Sequence, residues 1–131
     1  MKIYSTFYNL LEQLISADEK SGDWLTFVTK HIMEHIQDPT LSNAALAKHI
    51  GISEVYFRKL FRERFGTSPR QYILELRLQK ARQLLAESRL PVQNIAELCG
   101  FTNPYHFSRA FRQATNRTPT EYRKDNSGLL L

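Results

Sequence analysis

The chain has 131 residues, of which 42% are hydrophobic, 24% charged and 11% aromatic. That is the balance of an ordinary globular chain, long enough to bury a core without metals or disulfides. Its single cysteine excludes an internal disulfide framework and a multi-cysteine zinc site. No apolar run approaches the roughly 18 residues that a membrane span needs, and Met1 to Ser5 lack the apolar core of a secretory signal. A cytoplasmic protein without membrane contact is expected. The net charge is +5, but residues 1–37 hold 3 basic and 5 acidic side chains, whereas residues 38–131 hold 15 and 8. All 11 arginines lie at or beyond Arg58. An arginine-rich region suggests a polyanionic partner, nucleic acid above all.

The apolar spacing predicts helices throughout and no sheet. Ile3, Phe7, Leu10, Leu11 and Leu14 predict a helix over 3–16, followed by a polar loop to Asp23. Trp24, Phe27, Val28, Ile32 and Ile36 form the next stripe, which Asp38-Pro39 ends. Ser42 caps a short helix carrying Leu46, Ala47 and Ile50, and Gly51 closes it. Ser53 caps another, through about Phe65, closed by Gly66. Ser68, Pro69 and Gln71 make a capping-box start for a helix to about Glu87, with Ile73, Leu76, Ala81, Leu84 and Leu85 apolar. Leu90-Pro91 breaks it. A short helix with Ile95, Ala96 and Leu98 ends at Gly100, Asn103-Pro104 opens the next, and Thr118 to Glu121 repeats the capping box before a turn carrying Tyr122. The residues after Asp125 read as a frayed tail.

The chain repeats itself. Leu46-Ala47 with Gly51 matches Ile95-Ala96 with Gly100, offset by 49. Ser53, Phe57, Phe61, Pro69 and Tyr72 match Asn103, Phe107, Phe111, Pro119 and Tyr122, offset by 50, with one extra residue in the second turn. Each repeat reads as a short helix, a tight glycine turn and a longer helix, the helix-turn-helix pattern. The longer helix carries two stripes. Phe57, Leu60, Phe61 and Phe65 are core-like, as are Phe107, Ala110, Phe111 and Ala114. Val55, Arg58, Lys59 and Arg62 share another face, as do Tyr105, Ser108, Arg109 and Arg112. A lone polar stripe is usually a solvated face. Its recurrence after a glycine turn points instead to DNA, because arginine forks onto guanine acceptors and serine reaches most base edges.

These residues resemble the DNA-binding domain of the AraC/XylS family of bacterial transcription regulators. The resemblance is carried by Leu46-Ala47 through Gly51, Tyr56 to Phe61, and Arg77, Ala81, Leu84 and Leu85. Most specific is Ile95-Ala96, Gly100-Phe101, Tyr105, Phe107 to Arg109, Phe111-Arg112, Thr118-Pro119 and Tyr122-Arg123, similar to the family's C-terminal signature. It covers about residues 24–124. The family implies an all-α, homeodomain-like fold with two helix-turn-helix subdomains, here 24–68 and 89–124, joined by a long linker helix, 69–88. Residues 1–23 add an N-terminal helix and 125–131 a tail. Each recognition helix is implied to enter a major groove, the two grooves about 34 Å apart. By position, base reading falls on Val55, Arg58 and Lys59 and on Asn103, His106, Ser108 and Arg109. The stripes coincide on Val55, Arg58, Lys59, Ser108 and Arg109, add Tyr105 and put His106 at the flank. Ser53, Arg62 and Arg112 are expected on phosphate. Asn116, where the first repeat has Gly66, tolerates the same left-handed backbone. The extra turn residue and Pro104 are expected to rotate the second recognition helix slightly.

No metal, cofactor or catalytic set is expected. His31-x-x-Glu34-His35 spells an inverted zinc-protease motif, but no third ligand or cleft accompanies it, so these histidines read as surface or edge residues. Cys99 reads as a core filler, Trp24 as core, and His106 as a place where DNA binding can become pH-sensitive. Residues 3–16, too short to dimerise strongly alone, either pack on the body or join a sensor or dimerisation domain upstream. The length favours the join. The expected partners are double-stranded promoter DNA and RNA polymerase in the nucleoid. The alternative is a basic helical module that meets an acidic protein.

Overall fold

The structure is a computed structural model that describes residues 23–126. The expected helix over 3–16, the loop that follows it, and the tail from Ser127 lie outside the described residues. Among the described residues there are seven helices and no strand: α1 Asp23–Glu34, α2 Asn43–Ile50, α3 Glu54–Phe65, α4 Pro69–Glu87, α5 Val92–Leu98, α6 Pro104–Thr115 and α7 Pro119–Asp125. Among them, no helix is long and apolar enough to cross a membrane.

Capping chemistry sets these boundaries. The Ser42 hydroxyl accepts the Ala45 N–H at 3.2 Å, Ser53 that of Tyr56 at 3.1 Å and Ser68 that of Gln71 at 3.1 Å. Asn103 Oδ1 accepts the Tyr105 N–H at 2.7 Å. At α7 both arms of the box are made: the Glu121 N–H donates to Thr118 Oγ1 at 3.1 Å, and the Thr118 N–H to Glu121 Oε1 at 2.9 Å. That backbone bond holds the Glu121 carboxyl below its usual range. Each side-chain cap stabilises its helix by about 1 kcal/mol.

The chain forms two compact units. Of the described residues, one holds Asp23–His35 and Thr40–Ile73; the other holds Ile36–Pro39 and Leu74–Asn126. The division falls inside α4, so the 19-residue helix contributes residues to both of the units it joins. In the first unit, Trp24, Val28 and Ile32 from α1, Leu46, Ala47 and Ile50 from α2, Phe57, Leu60 and Phe61 from α3, and Ile73 from α4 are buried. In the second, Leu78, Ala81 and Leu85 of α4 cluster with Ile95, Ala96, Cys99, Phe107 and Phe111, and Tyr122 packs against them. Each fully buried large side chain is worth about 1.5–3 kcal/mol of transfer free energy. Burial pushes the Cys99 thiol up to about 11, so it packs as a neutral filler, as expected.

Of the expected apolar positions, Ile36, Phe65, Leu84, Leu98 and Ala110 are half-buried, and three others differ instructively. Phe27 is 43% exposed, because α1 turns Trp24, Leu25 and Val28 inward and leaves it on the rim. Ala114 is exposed, because the second α6 stripe ends with Phe111 one turn earlier. On α4, Leu78 is buried where Leu76 is only half-buried. That helix crosses from one unit to the other, so its apolar positions do not keep to one stripe.

Two arginines bind backbone within the second unit. Arg77 Nε donates to the Ile36 carbonyl at 3.0 Å and Nη2 to that of Asp38 at 2.8 Å. Arg123 Nε donates to the Leu85 carbonyl at 3.1 Å. Such charge-assisted bonds fix the start of the α1–α2 connection and the docking of α7.

Candidate nucleic-acid interface

The two repeats fold alike, each within its own unit. After α2, the Gly51 N–H reaches the Lys48 carbonyl at 3.2 Å and the Ile52 N–H that of Ala47 at 3.1 Å. After α5, the Gly100 N–H reaches Glu97 at 3.0 Å and the Phe101 N–H reaches Ala96 at 3.0 Å. The second helices, α3 and α6, have 12 residues each. Both end in a left-handed residue whose N–H bonds back at 2.7 Å: Gly66 to Arg62 at φ 77°, Asn116 to Arg112 at φ 63°. Asparagine therefore takes the conformation expected of it.

The aromatic core decides which face points out. Phe57 and Phe61 are fully buried with ring centroids 5.8 Å apart, and Tyr72 meets Phe61 edge-on at 5.3 Å. Phe107 and Phe111 repeat this at 5.7 Å, with Tyr122 edge-on to Phe111 at 5.3 Å. With these rings inward, Val55, Arg58, Lys59 and Arg62 are exposed on α3, Val55 at 68%. Tyr105, His106, Arg109 and Arg112 are exposed on α6, Tyr105 at 79%. Ser108 is half-buried, beside the core ring of Phe107. Ser53 and Asn103 are exposed but hold the helix starts, so the oxygen of Asn103 is already engaged and its amide NH2 is the group left to reach outward.

Sequence reasoning did not anticipate the bracing of α3. Arg58 Nη1 pairs with Glu54 at 3.0 Å, and Lys59 Nζ lies 3.7 Å from Glu63. The signal was the i, i+4 spacing of opposite charges. The helix α6 holds no acidic residue at all. Among the described residues, no group of histidine, cysteine and carboxylate side chains is arranged to hold a metal ion.

Two helix-turn-helix units, each turning a basic face outward from its second helix, define a double helix-turn-helix protein. The family model described as a helix-turn-helix domain matches residues 46–125. The chain belongs to the AraC-type helix-turn-helix family. It is 37% identical over 111 residues to the "Probable transcriptional regulator LumQ" of Photobacterium leiognathi, covering 83% of this chain and 44% of that protein. A transcriptional regulator from Chromobacterium violaceum, described as an AraC-type DNA-binding domain-containing protein, superposes with TM-score 0.71 at 36% identity over 82% of this chain and 95% of that one. The DNA-binding domain of the global transcriptional factor AdpA, solved with a target DNA, superposes with TM-score 0.73 at 29% identity over 77% of this chain and 90% of that one. The chain spans less than half the length of the curated relatives it matches first.

Proposed function

We propose that the chain binds double-stranded DNA with sequence preference, as the DNA-reading part of a bacterial transcriptional regulator. The observation that carries this reading is the recurrence, in two units, of the same buried aromatic pair beneath the same outward basic face. A solvated surface has no reason to repeat in register with its core. The helices α3 and α6 enter two successive major grooves. Val55, Arg58 and Lys59, and Asn103, Tyr105, His106, Ser108 and Arg109, face base edges. Ser53, Arg62 and Arg112 hold phosphate and supply the salt-dependent share of affinity. The regulator acts in the cytoplasm on the nucleoid, meets RNA polymerase there, and takes its signal from a sensor or dimerisation domain carried elsewhere in the whole protein. No catalytic step is assigned to it.

The test is selection from a randomised duplex library, read by sequencing. Two enriched blocks centred about 10 base pairs apart are expected. Because the two faces differ in sequence, the site should be asymmetric. One block would mean that a single unit reads bases while the other grips backbone. No enrichment by folded protein at low salt would overturn the reading in favour of a protein-interaction module.

A further inference from the structure

Outside the recognition faces, the first unit gathers three of the four histidines of the chain. The His31 ring stacks on that of His35, with centroids 4.0 Å apart and planes 22° apart, and lies 4.7 Å from that of His49 on α2. Phe27 completes the cluster, 5.8 Å from His31 and 5.9 Å from His49. His35 Nδ1 lies 2.9 Å from the His31 carbonyl. A carbonyl only accepts, so Nδ1 donates in that bond.

Parallel stacking at 4 Å suits neutral imidazoles and opposes two cations. We propose that His31, His35 and His49 form an acid-sensitive latch between α1 and α2, packed while the rings are neutral and pushed apart once more than one of them takes up a proton. Among the described residues, the charges that act on His31 are His35 and His49, which oppose its protonation, and Glu34, which favours it. Lys30 on α1 and Lys48 on α2 adjoin the cluster in sequence and bring no negative charge to it. Burial foremost, then the two neighbouring rings, hold His31 below its ordinary 6.5. The unfolded chain therefore protonates first as pH falls. Stability is complete above about pH 6.5 and is lost as pH drops from there through the folded value. The latch holds α2, whose Leu46, Ala47 and Ile50 are core residues of the same unit as α3, so its opening loosens the seat of the first recognition helix. That consequence for DNA rests on the function proposed above; the latch itself does not.

The test follows thermal unfolding of the full chain and of His31→Gln between about pH 7.5 and 5. The wild-type midpoint should fall by roughly 4 °C more than that of the variant. Parallel falls would overturn the latch. His49→Gln gives the same contrast if His31→Gln does not fold. Proton NMR titration of the wild-type His31 imidazole needs no variant, and there its midpoint should lie below the ordinary 6.5. A midpoint at or above that value would also overturn it. Affinity for a selected duplex should drop several-fold more on acidification for wild type than for His31→Gln. Equal drops would sever the latch from DNA reading, while absence of any duplex binding would sink the functional reading and leave the latch to be judged by unfolding.

Discussion

The two helix-turn-helix units share a backbone and an aromatic core but differ in how they prepare their outward faces. In the first, Arg58 and Lys59 are braced by Glu54 and Glu63 on their own helix. In the second, α6 carries no acid, and among the described residues no ion pair engages Arg109 or Arg112. The turns differ as well. A Cβ on Gly51 would meet nothing within 4 Å, whereas one on Gly100 would lie 2.5 Å from the Ile36 carbonyl oxygen and 2.7 Å from Arg77 Nε. The first unit thus carries ion pairs on its outward basic face and is open at its turn; the second is the reverse. Identical folds leave such choices to individual side chains, because the shared core sets only which direction each face points.

The cores should respond alike and strongly. Phe61→Ala and Phe111→Ala should each cost about 3–5 kcal/mol, measured by urea unfolding. Phe61 should be the costlier, because it also stacks on Phe65 at 4.3 Å. A smaller loss at Phe61 would break the equivalence of the two aromatic cores.

The turns should separate the units. Gly51→Ala carries only the left-handed penalty at φ 76°, about 1–2 kcal/mol. Gly100→Ala adds a collision at φ 89° that must displace Arg77 from the Ile36 carbonyl, for a total of roughly 2–4 kcal/mol. Equal losses in unfolding would mean that the Gly100 site relaxes without cost.

The reading faces should give the subtlest contrast. Arg58→Ala or Arg109→Ala should cost about 1–3 kcal/mol on the selected duplex and relax one base position. Equal losses on scrambled DNA would make them phosphate clamps. Glu54→Gln releases Arg58, whose surface pair is worth only a few tenths of a kcal/mol, so it should tighten non-specific binding slightly and steepen its salt dependence. Among the described residues, Arg109 has no such partner to remove. A titration of affinity against salt for the two arginine variants decides whether the bracing matters.

Much of this was legible without coordinates. Caps are local chemistry: a serine, threonine or asparagine three residues before a free N–H declares its helix, and Ser42, Ser53, Ser68, Asn103 and Thr118 all did so. The repeat gave the paired aromatic cores, since Phe57, Phe61 and Tyr72 recur 50 residues on. The outward faces of α3 and α6 followed as the complement of those rings. What failed did so where a helix serves more than one surroundings. Periodicity assumes one buried side, but α4 crosses between units, so Leu78 was passed over for Leu76. Phe27 and Ala114 sat at the edge of their stripes, where a rotation of a few degrees decides between core and solvent.

The sequence by itself thus determined the elements, their caps, the doubled helix-turn-helix and the side chains its second helices turn outward, because caps and stripes depend on spacings of a few helical turns and the doubling is a repeat along the chain. Only the tertiary structure decided which residues meet across long separations. Arg77 finds the Ile36 carbonyl 41 residues away, and Gly100 lies against both. His49 closes on His31 from a neighbouring helix and turns an unused motif into a three-ring cluster. Such contacts are set by how helices pack, and no local pattern encodes the distance between two side chains on different helices.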